Sequence, residues 1–386
     1  MANTAQSVAV DTSTTLLVDD LSGSAVALAN AESTATTVVG TATAAATVTE
    51  DVGVLDSTVT AGGSATYTIS ETGTATAAAT SVDDTALAEA KFTGEAGGFI
   101  DSADATDKDF TAGAGSTLDV QVGNTATATA TSTDKAATAT GLITETFGLQ
   151  DIGVSVGGGG TLTANVDADV ASTATTTGSA ASPAAAIADT DATTIAAISD
   201  LGDGTTAATS DFAFGDSATI TANAGTMADR ITLSSSATTV GGTAAGDATA
   251  TVDSTAISGI TDVTGSDGVV SNVLSVGADA TITARAYVDS TAAAVTVDGD
   301  ASATTSLGAV KGIQADTFLV GDDASIKAYA DTLSTTSATS TDLTATASNT
   351  LTVSQAIQLD ALTIGDSATA DGSYGVIGAA SATLTT

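Results

Sequence analysis

The sequence predicts an all-β protein, an elongated parallel β-helix or solenoid built from irregular coils of about 22 residues. Three observations predict it. One short pattern, apolar-x-apolar-Gly followed by two small or acidic residues and a small-Thr-apolar triplet, is written seven times. Around each copy, packed and wet residues alternate with period two, the mark of a strand with one buried face. Ala, Thr, Ser, Gly and Asp dominate a chain with 3% aromatic residues and no Trp, so few side chains are large enough to fill a thick core.

The repeats are marked by Gly62, Gly113, Gly157, Gly215, Gly277, Gly321 and Gly365. Four residues past each stands Thr66, Thr117, Thr161, Thr219, Thr281, Ser325 or Thr369. In one copy Ala280, Ile282 and Ala284 alternate with Thr281 and Thr283, so a strand, a corner and a second strand recur. Successive markers are 51, 44, 58, 62, 44 and 44 residues apart. The recurrent 44 divides into two three-sided coils of 22, and the larger spacings read as loops pushed out of the stack, such as Asp262 to Ser271.

Between the markers lies a second family of strands. Residues 40–47 and 73–80 both read GTATAAAT, and Thr125, Thr127, Thr129 and Thr131 alternate with Ala. Thr suits an exposed strand face and Ala a crowded interior. Short elements such as Leu149-Gln150-Asp151, Ile313-Gln314-Ala315-Asp316 and Ile357-Gln358-Leu359-Asp360 deliver the chain to the next marker. Residues 180–199 hold the single Pro, Pro183, and an Ala-rich run, which reads as a short helix or surface loop inserted into the stack. Residues 1–35 lack a clean marker and read as a cap or a subunit-exchange segment, leaving 36–386 as the solenoid. A seven-bladed β-propeller also fits seven units, although uneven spacing and small side chains count against it, and tandem β-sandwiches come third.

Charge and missing residue types narrow the function. There are 45 acidic and 7 basic residues, for a formal net charge of -38, which repels nucleic acid and anionic membranes. High charge with few aromatics is also a disorder signature, but the strict alternation and 42% apolar residues are not. No Cys means no disulfides or thiolate metal sites, and no His removes the commonest general base and zinc ligand. The start, Met1 to Ser7, carries no basic or apolar region of a secretion signal, and no apolar run approaches the ~18 residues of a membrane helix. The expected location is extracellular or cell-surface by a signal-peptide-independent route, or else a virion.

Candidate chemistry gathers at the corners. Asp216, Asp322 and Asp366 follow their marker glycines directly, with Asp323 and Asp279 one residue further on. Stacked corners would align hard oxygen ligands for calcium, although Gly-Asp is also ordinary turn chemistry and neither a calcium nonapeptide repeat nor an EF-hand loop is present. No other cofactor is expected. The Thr125–Thr131 run resembles the ice-binding faces of some antifreeze proteins over a few residues. Catalysis is not expected: acid pairs such as Asp19-Asp20 and Asp83-Asp84 are adjacent in sequence, and no nucleotide loop or nucleophile motif occurs.

From its marker spacing and Ala/Thr/Asp composition, the chain resembles repetitive β-solenoid proteins of bacterial surfaces, secreted adhesins and phage fibres over roughly residues 36–386. That resemblance implies a structural role: a subunit of a self-assembling filament, sheath or fibre held by strand stacking. Partners would be further copies of the chain, as oligomer or polymer, with no nucleic acid and no membrane insertion. A virion fibre or decoration protein, or a secreted adhesin using a surface or carbohydrate ligand, are the alternatives.

Overall fold

A computed structural model describes residues 6–10, 16–18, 23–55, 59–61, 66–94, 96–100, 109–150, 153–178, 184–200, 212–240, 246–262 and 273–385. They form 24 strands, all paired in parallel, with no helix among them. The chain winds through eight coils. Coil 1 holds β1 (Gln6–Val10), β2 (Leu16–Val18) and β3 (Gly23–Thr37); coil 2 holds β4 (Ala42–Leu55), β5 (Val59–Ala61) and β6 (Thr66–Ser81). Coil 3 holds β7 (Ala86–Phe92), β8 (Ala96–Ile100), β9 (Asp109–Ala112) and β10 (Thr117–Ser132). Coil 4 holds β11 (Ala137–Gln150), β12 (Gly153–Val156) and β13 (Thr161–Thr177); coil 5 holds β14 (Ala186–Asp200), β15 (Phe212–Phe214), β16 (Thr219–Ala224) and β17 (Ile231–Val240). Coil 6 holds β18 (Ala248–Asp262), β19 (Val273–Val276) and β20 (Thr281–Thr296); coil 7 holds β21 (Ala301–Val320) and β22 (Ser325–Ser340); coil 8 holds β23 (Ala345–Ile364) and β24 (Thr369–Leu384).

The last strand of each coil joins a nine-stranded sheet, with coil 5 contributing both β16 and β17. All other strands form a fifteen-stranded sheet that curls around the opposite side. Register makes one coil 44 residues, not 22: Thr281 pairs with Ser325 and Ser325 with Thr369. The 22-residue half-period is one strand and one corner on a single side. The proportions change accordingly. Eight layers span about 34 Å, whereas one 16-residue strand runs about 53 Å, so the stack is broader than it is tall and not elongated. The parallel all-β solenoid class itself stands.

Two sequence expectations fall on particular strands. Of the insertion expected near 180–200, extra residues do fall in the corner before Ala186, since partners are 44 residues apart at Ser132 with Thr176 and 49 apart at Ala137 with Ala186, while Ala186–Asp200 is a strand paired in register with β11 and β18. Its Ala residues are the buried face, Ala186, Ala188 and Ala192, which the Ala-rich run disguised as helix; residues 179–183 with Pro183 lie outside the described residues. Pairing also reaches back through β3, β2 and β1 to Gln6. The loop expected at Asp262 to Ser271 falls, beyond Asp262, outside the described residues. Its flanks show the insertion: partners are 53 residues apart at Ala248 with Ala301 and 44 apart at Val273 with Thr317.

The cross-section is a wedge. At the thick end, beside the marker strands, Phe147, Leu149, Val154 and Phe318 of the large sheet meet Leu118, Leu162, Ile220 and Ile282 of the small one, all buried. At the thin end the facing residues are Ala126, Ala128 and Ala130 against Ala137 and Ala139. There the sheets lie close enough for hydroxyls to cross: Ser172 Oγ donates to the Asp189 carbonyl at 2.6 Å, and Ser235 Oγ to the Ala188 carbonyl at 2.7 Å. The large sheet bends where its inward residues slip phase, as at Leu307, Val310, Ile313 and Phe318 on β21. Gly312 sits at one bend, where a Cβ would lie 2.8 Å from the Tyr329 backbone nitrogen across the core.

Candidate functional site

The five acids singled out from the sequence lie in the corners after Gly215, Gly277, Gly321 and Gly365, and the corner keeps one geometry from Gly113 onward. Its third residue takes the left-handed conformation: φ is 70° at Gly115 and Gly159, 58° at Ser217, 56° at Asp279, 54° at Asp323 and 59° at Ser367. Gly and Asp tolerate that region best. The marker glycine is required by contact instead. A Cβ on Gly321 would come within 2.6 Å of the Gly277 carbonyl carbon, and one on Gly365 within 2.7 Å of that of Gly321.

The acids serve this stack in different ways. Asp279 N donates to the Asp322 carbonyl and Asp323 N to the Asp366 carbonyl, both at 2.9 Å. Asp216 Oδ1 accepts from Ala278 N at 2.9 Å, and Asp322 Oδ1 from Asp366 N at 2.7 Å. These carboxylates therefore cap the backbone of the following coil. Among the described residues no three Asp or Glu side chains converge on one metal position; the acids form a column, one or two per coil.

The opposite corner has a counterpart that the sequence reading missed. Ser81, Ser132, Thr176, Thr239, Thr296 and Ser340 form a buried hydroxyl column. All but Thr239 donate to a carbonyl of the preceding corner, as Ser132 to Asp84 at 2.8 Å, Thr296 to Gly246 at 2.7 Å and Ser340 to Gly299 at 2.7 Å. Thr239 donates within its own corner, to the Asp247 carbonyl at 3.1 Å. The Ser hydroxyls also accept from their own turn, as from Leu343 N at 3.2 Å. Such a hydroxyl ties one corner both to itself and to its neighbour.

A third column runs along the outer face of the small sheet. Arg285 Nη1 donates to Asn223 Oδ1 at 2.9 Å, Asn223 Nδ2 to Asn165 Oδ1 at 2.6 Å, and Asn165 Nδ2 to Gln121 Oε1 at 3.2 Å. Gln121 Nε2 then donates to Asp119 Oδ1. Every amide donates toward the acidic end, so the chain of bonds has one direction. At its cationic end the Arg285 guanidinium lies 5.5 Å from the Tyr329 ring centre, and nearby Arg230 lies 5.3 Å from Tyr287 and pairs with Asp331 at 2.6 Å. Both arginines of the chain are therefore gathered here. Beside them residues 225–230 bulge outward: partners are 58 residues apart at Val166 with Ala224 and 63 apart at Asp169 with Thr232. The bulge walls a groove of about 460 Å³ lined by Gln121, Asn165, Asp167, Asn223, Thr226 and Asp229. Burial, then the charges of Asp169 and Asp229, push the Asp167 carboxyl up to about 6.

Two acids lie inside the core. Asp51 on β4 is 0% exposed and Glu71 on β6 is 1% exposed. Burial above all, then the Asp51 charge, pushes Glu71 up to about 10, while Asn124 pulls it back. Asp51 is raised for the same first reason and lowered by Glu71 and the Ala29 amide beside it. At neutral pH the pair therefore holds one proton between its two carboxyls.

The last surface is the end of the stack. Among the described residues β24 pairs only with β22, and β23 only with β21. Inward columns that are closed in coil 7 are open in coil 8. Phe318 is 1% exposed and its partner Leu362 45%; Ala330 is 0% and Tyr374 68%; Ser340 is 0% and Leu384 53%. No family model, curated protein or solved structure matches the chain.

Proposed function

We propose that the chain is a structural subunit that polymerises head to tail, the exposed coil 8 of one copy receiving coil 1 of the next into a filament, sheath or fibre. The observation that carries this reading is the open cross-section of coil 8, with Leu362, Ile364, Tyr374, Val376 and Leu384 all exposed on long strands paired along one edge only. A second copy would continue both sheets. At the opposite end β1, β2 and β3 each pair on one side only among the described residues, so the two ends differ and the contact is heterologous, the kind that gives open polymers. Backbone pairing supplies the affinity and makes little demand on side chains. Asp366, at the carboxylate position that caps the next coil elsewhere, faces outward at this end. An extracellular setting, or a virion, belongs to the same proposal.

Negative-stain microscopy and sedimentation of the purified chain test it. Filaments with a fibre-diffraction spacing of about 4.8 Å along their axis are expected, and Val376→Lys and Leu384→Lys should stop growth without changing the circular dichroism. A monomer at every salt and protein concentration would overturn it. A second reading, a secreted binding module, is favoured by the amide- and carboxylate-lined groove beside residues 225–230. Retention of the chain on immobilised glycans, lost on Asn165→Ala, would support that reading.

A further inference from the structure

The core of coils 2 to 4 contains a polar group with too few protons. Asp51, Glu71, Asn124 and Thr146 are 0%, 1%, 2% and 0% exposed. Two come from the large sheet, on β4 and β11, and two from the small one, on β6 and β10. Asn124 Nδ2 lies 3.3 Å from both Glu71 Oε2 and Thr146 Oγ1, and the Asp51 and Glu71 carboxyls face each other closely enough to interact directly. The Ala29 amide stands beside the Asp51 carboxyl, yet it falls outside hydrogen-bonding geometry, and both Asp51 oxygens, Glu71 Oε1 and Asn124 Oδ1 are buried without a bonded protein donor. Orphaned buried acceptors are rare enough to need a cause. No basic side chain supplies one: the ion pairs of Lys91 with Glu89 and Arg230 with Asp331 lie elsewhere, and neither carboxyl has a basic group among the causes of its shift. One proton shared between the carboxyls would satisfy one contact and leave a net negative charge in an apolar interior.

We propose that these four residues form an internal calcium site that staples the two sheets together across the core. A divalent cation cancels both carboxylates and gives every orphaned oxygen a partner. All four donors are hard oxygens. Two bidentate carboxylates, the amide oxygen and the hydroxyl reach the lower end of the coordination number calcium takes. Magnesium, which prefers strict octahedral geometry and keeps its waters, suits a dry irregular site less well. Exchange of the Asn124 amide oxygen and nitrogen brings Oδ1 to the Glu71 and Thr146 side. Gly73 keeps the space open, since a Cβ there would collide with Asn124 Oδ1 and the Phe92 ring. Strands β4, β6, β10 and β11 enclose the position, so the ion would enter as the coils close during folding.

The test follows from that entry route. The full chain is unfolded, refolded either with calcium chloride or with EDTA, dialysed into calcium-free buffer to strip surface ions, and assayed by elemental analysis and thermal unfolding. About one retained calcium per chain and a higher midpoint for the calcium-refolded sample are expected. Asn124→Ala should retain the fold, because its register partner in the next coil is Ala168, and should weaken retention at least tenfold. The pair Asp51→Asn with Glu71→Gln should abolish it. Wild-type chain that refolds with calcium present, carries none, and melts identically in calcium and EDTA would overturn the proposal and leave the shared proton as the explanation.

Discussion

Replacing Glu71 with glutamine in calcium-free buffer should flatten the dependence of stability on pH. In the native chain Glu71 is held up to about 10, chiefly by burial and then by Asp51, against 4.5 for an ordinary Glu. Between those values the folded state carries a proton that the unfolded state lacks. Its contribution to stability is therefore greatest near and below pH 4.5 and declines as pH rises, by about 1.4 kcal/mol per unit. From pH 6 to pH 8 the loss from this group is about 3 kcal/mol. The Glu71→Gln side chain keeps the shape, stays neutral and supplies an N–H donor toward Asp51, so this contribution to the slope disappears. Asp167, raised to about 6, and the raised Asp169, Asp189 and Asp191 slope in the same direction, but they are present in both proteins and cancel in the comparison. Guanidinium titrations at pH 6, 7 and 8 in EDTA, analysed at constant m-value, provide the measurement. Parallel profiles for wild type and variant over that range would refute the reasoning.

Two glycines separate contact from conformation. Gly321→Ala drives a Cβ to 2.6 Å from the Gly277 backbone and should cost about 1–3 kcal/mol. Gly159→Ala meets nothing within 4 Å but sits at φ +70°, should cost about 1 kcal/mol, and should be partly relieved in Gly159→Asn; equal urea midpoints for the two Ala variants would sink the stacking argument. Ser340→Ala removes the bonds to Gly299 and Leu343 and should cost about 1–2 kcal/mol. Ser340→Thr should recover most of this, because Thr176 and Thr296 donate to the preceding corner from the same column, and a Thr variant as unstable as the Ala variant would contradict it. If polymerisation is end to end, the net charge of -38 opposes it, so added salt should shorten the lag in light scattering; a lag that lengthens with salt counts against the assembly model.

Much of the solenoid was legible because its geometry repeats in sequence. The glycine markers, the Thr that follows them and the Ala/Thr alternation are direct records of a corner, a wet face and a narrow interior. Coil length was misread because strand, corner, strand, corner divides 44 into similar halves, and side-chain periodicity is the same on both sides. Only the pairing of Thr281 with Ser325 tells which half is above which. The amide ladder was also written in the sequence: Gln121, Asn165, Asn223 and Arg285 each stand eight residues after a marker glycine. The hydroxyls of Ser132, Thr176, Thr296 and Ser340 each stand nineteen after one. Both signals lie in polar residues, where a search for apolar alternation does not look. Asp51 and Glu71 could not be paired from sequence, since nothing local to either predicts that they meet across the core.

The 44-residue coil stores contour length. Successive coils are separated by one strand spacing, about 4.8 Å, yet each contains chain enough to stretch to roughly 150 Å. Tension applied through the first and last coils would detach them one after another from the two ends. Every detachment would release some thirtyfold more length than it occupied while the remaining layers stayed paired. A fibre built from such units would yield gradually under load, and a single-molecule force trace would record that yielding as a ladder of steps, the smallest set by the 44-residue coils and the larger ones by the coils with insertions.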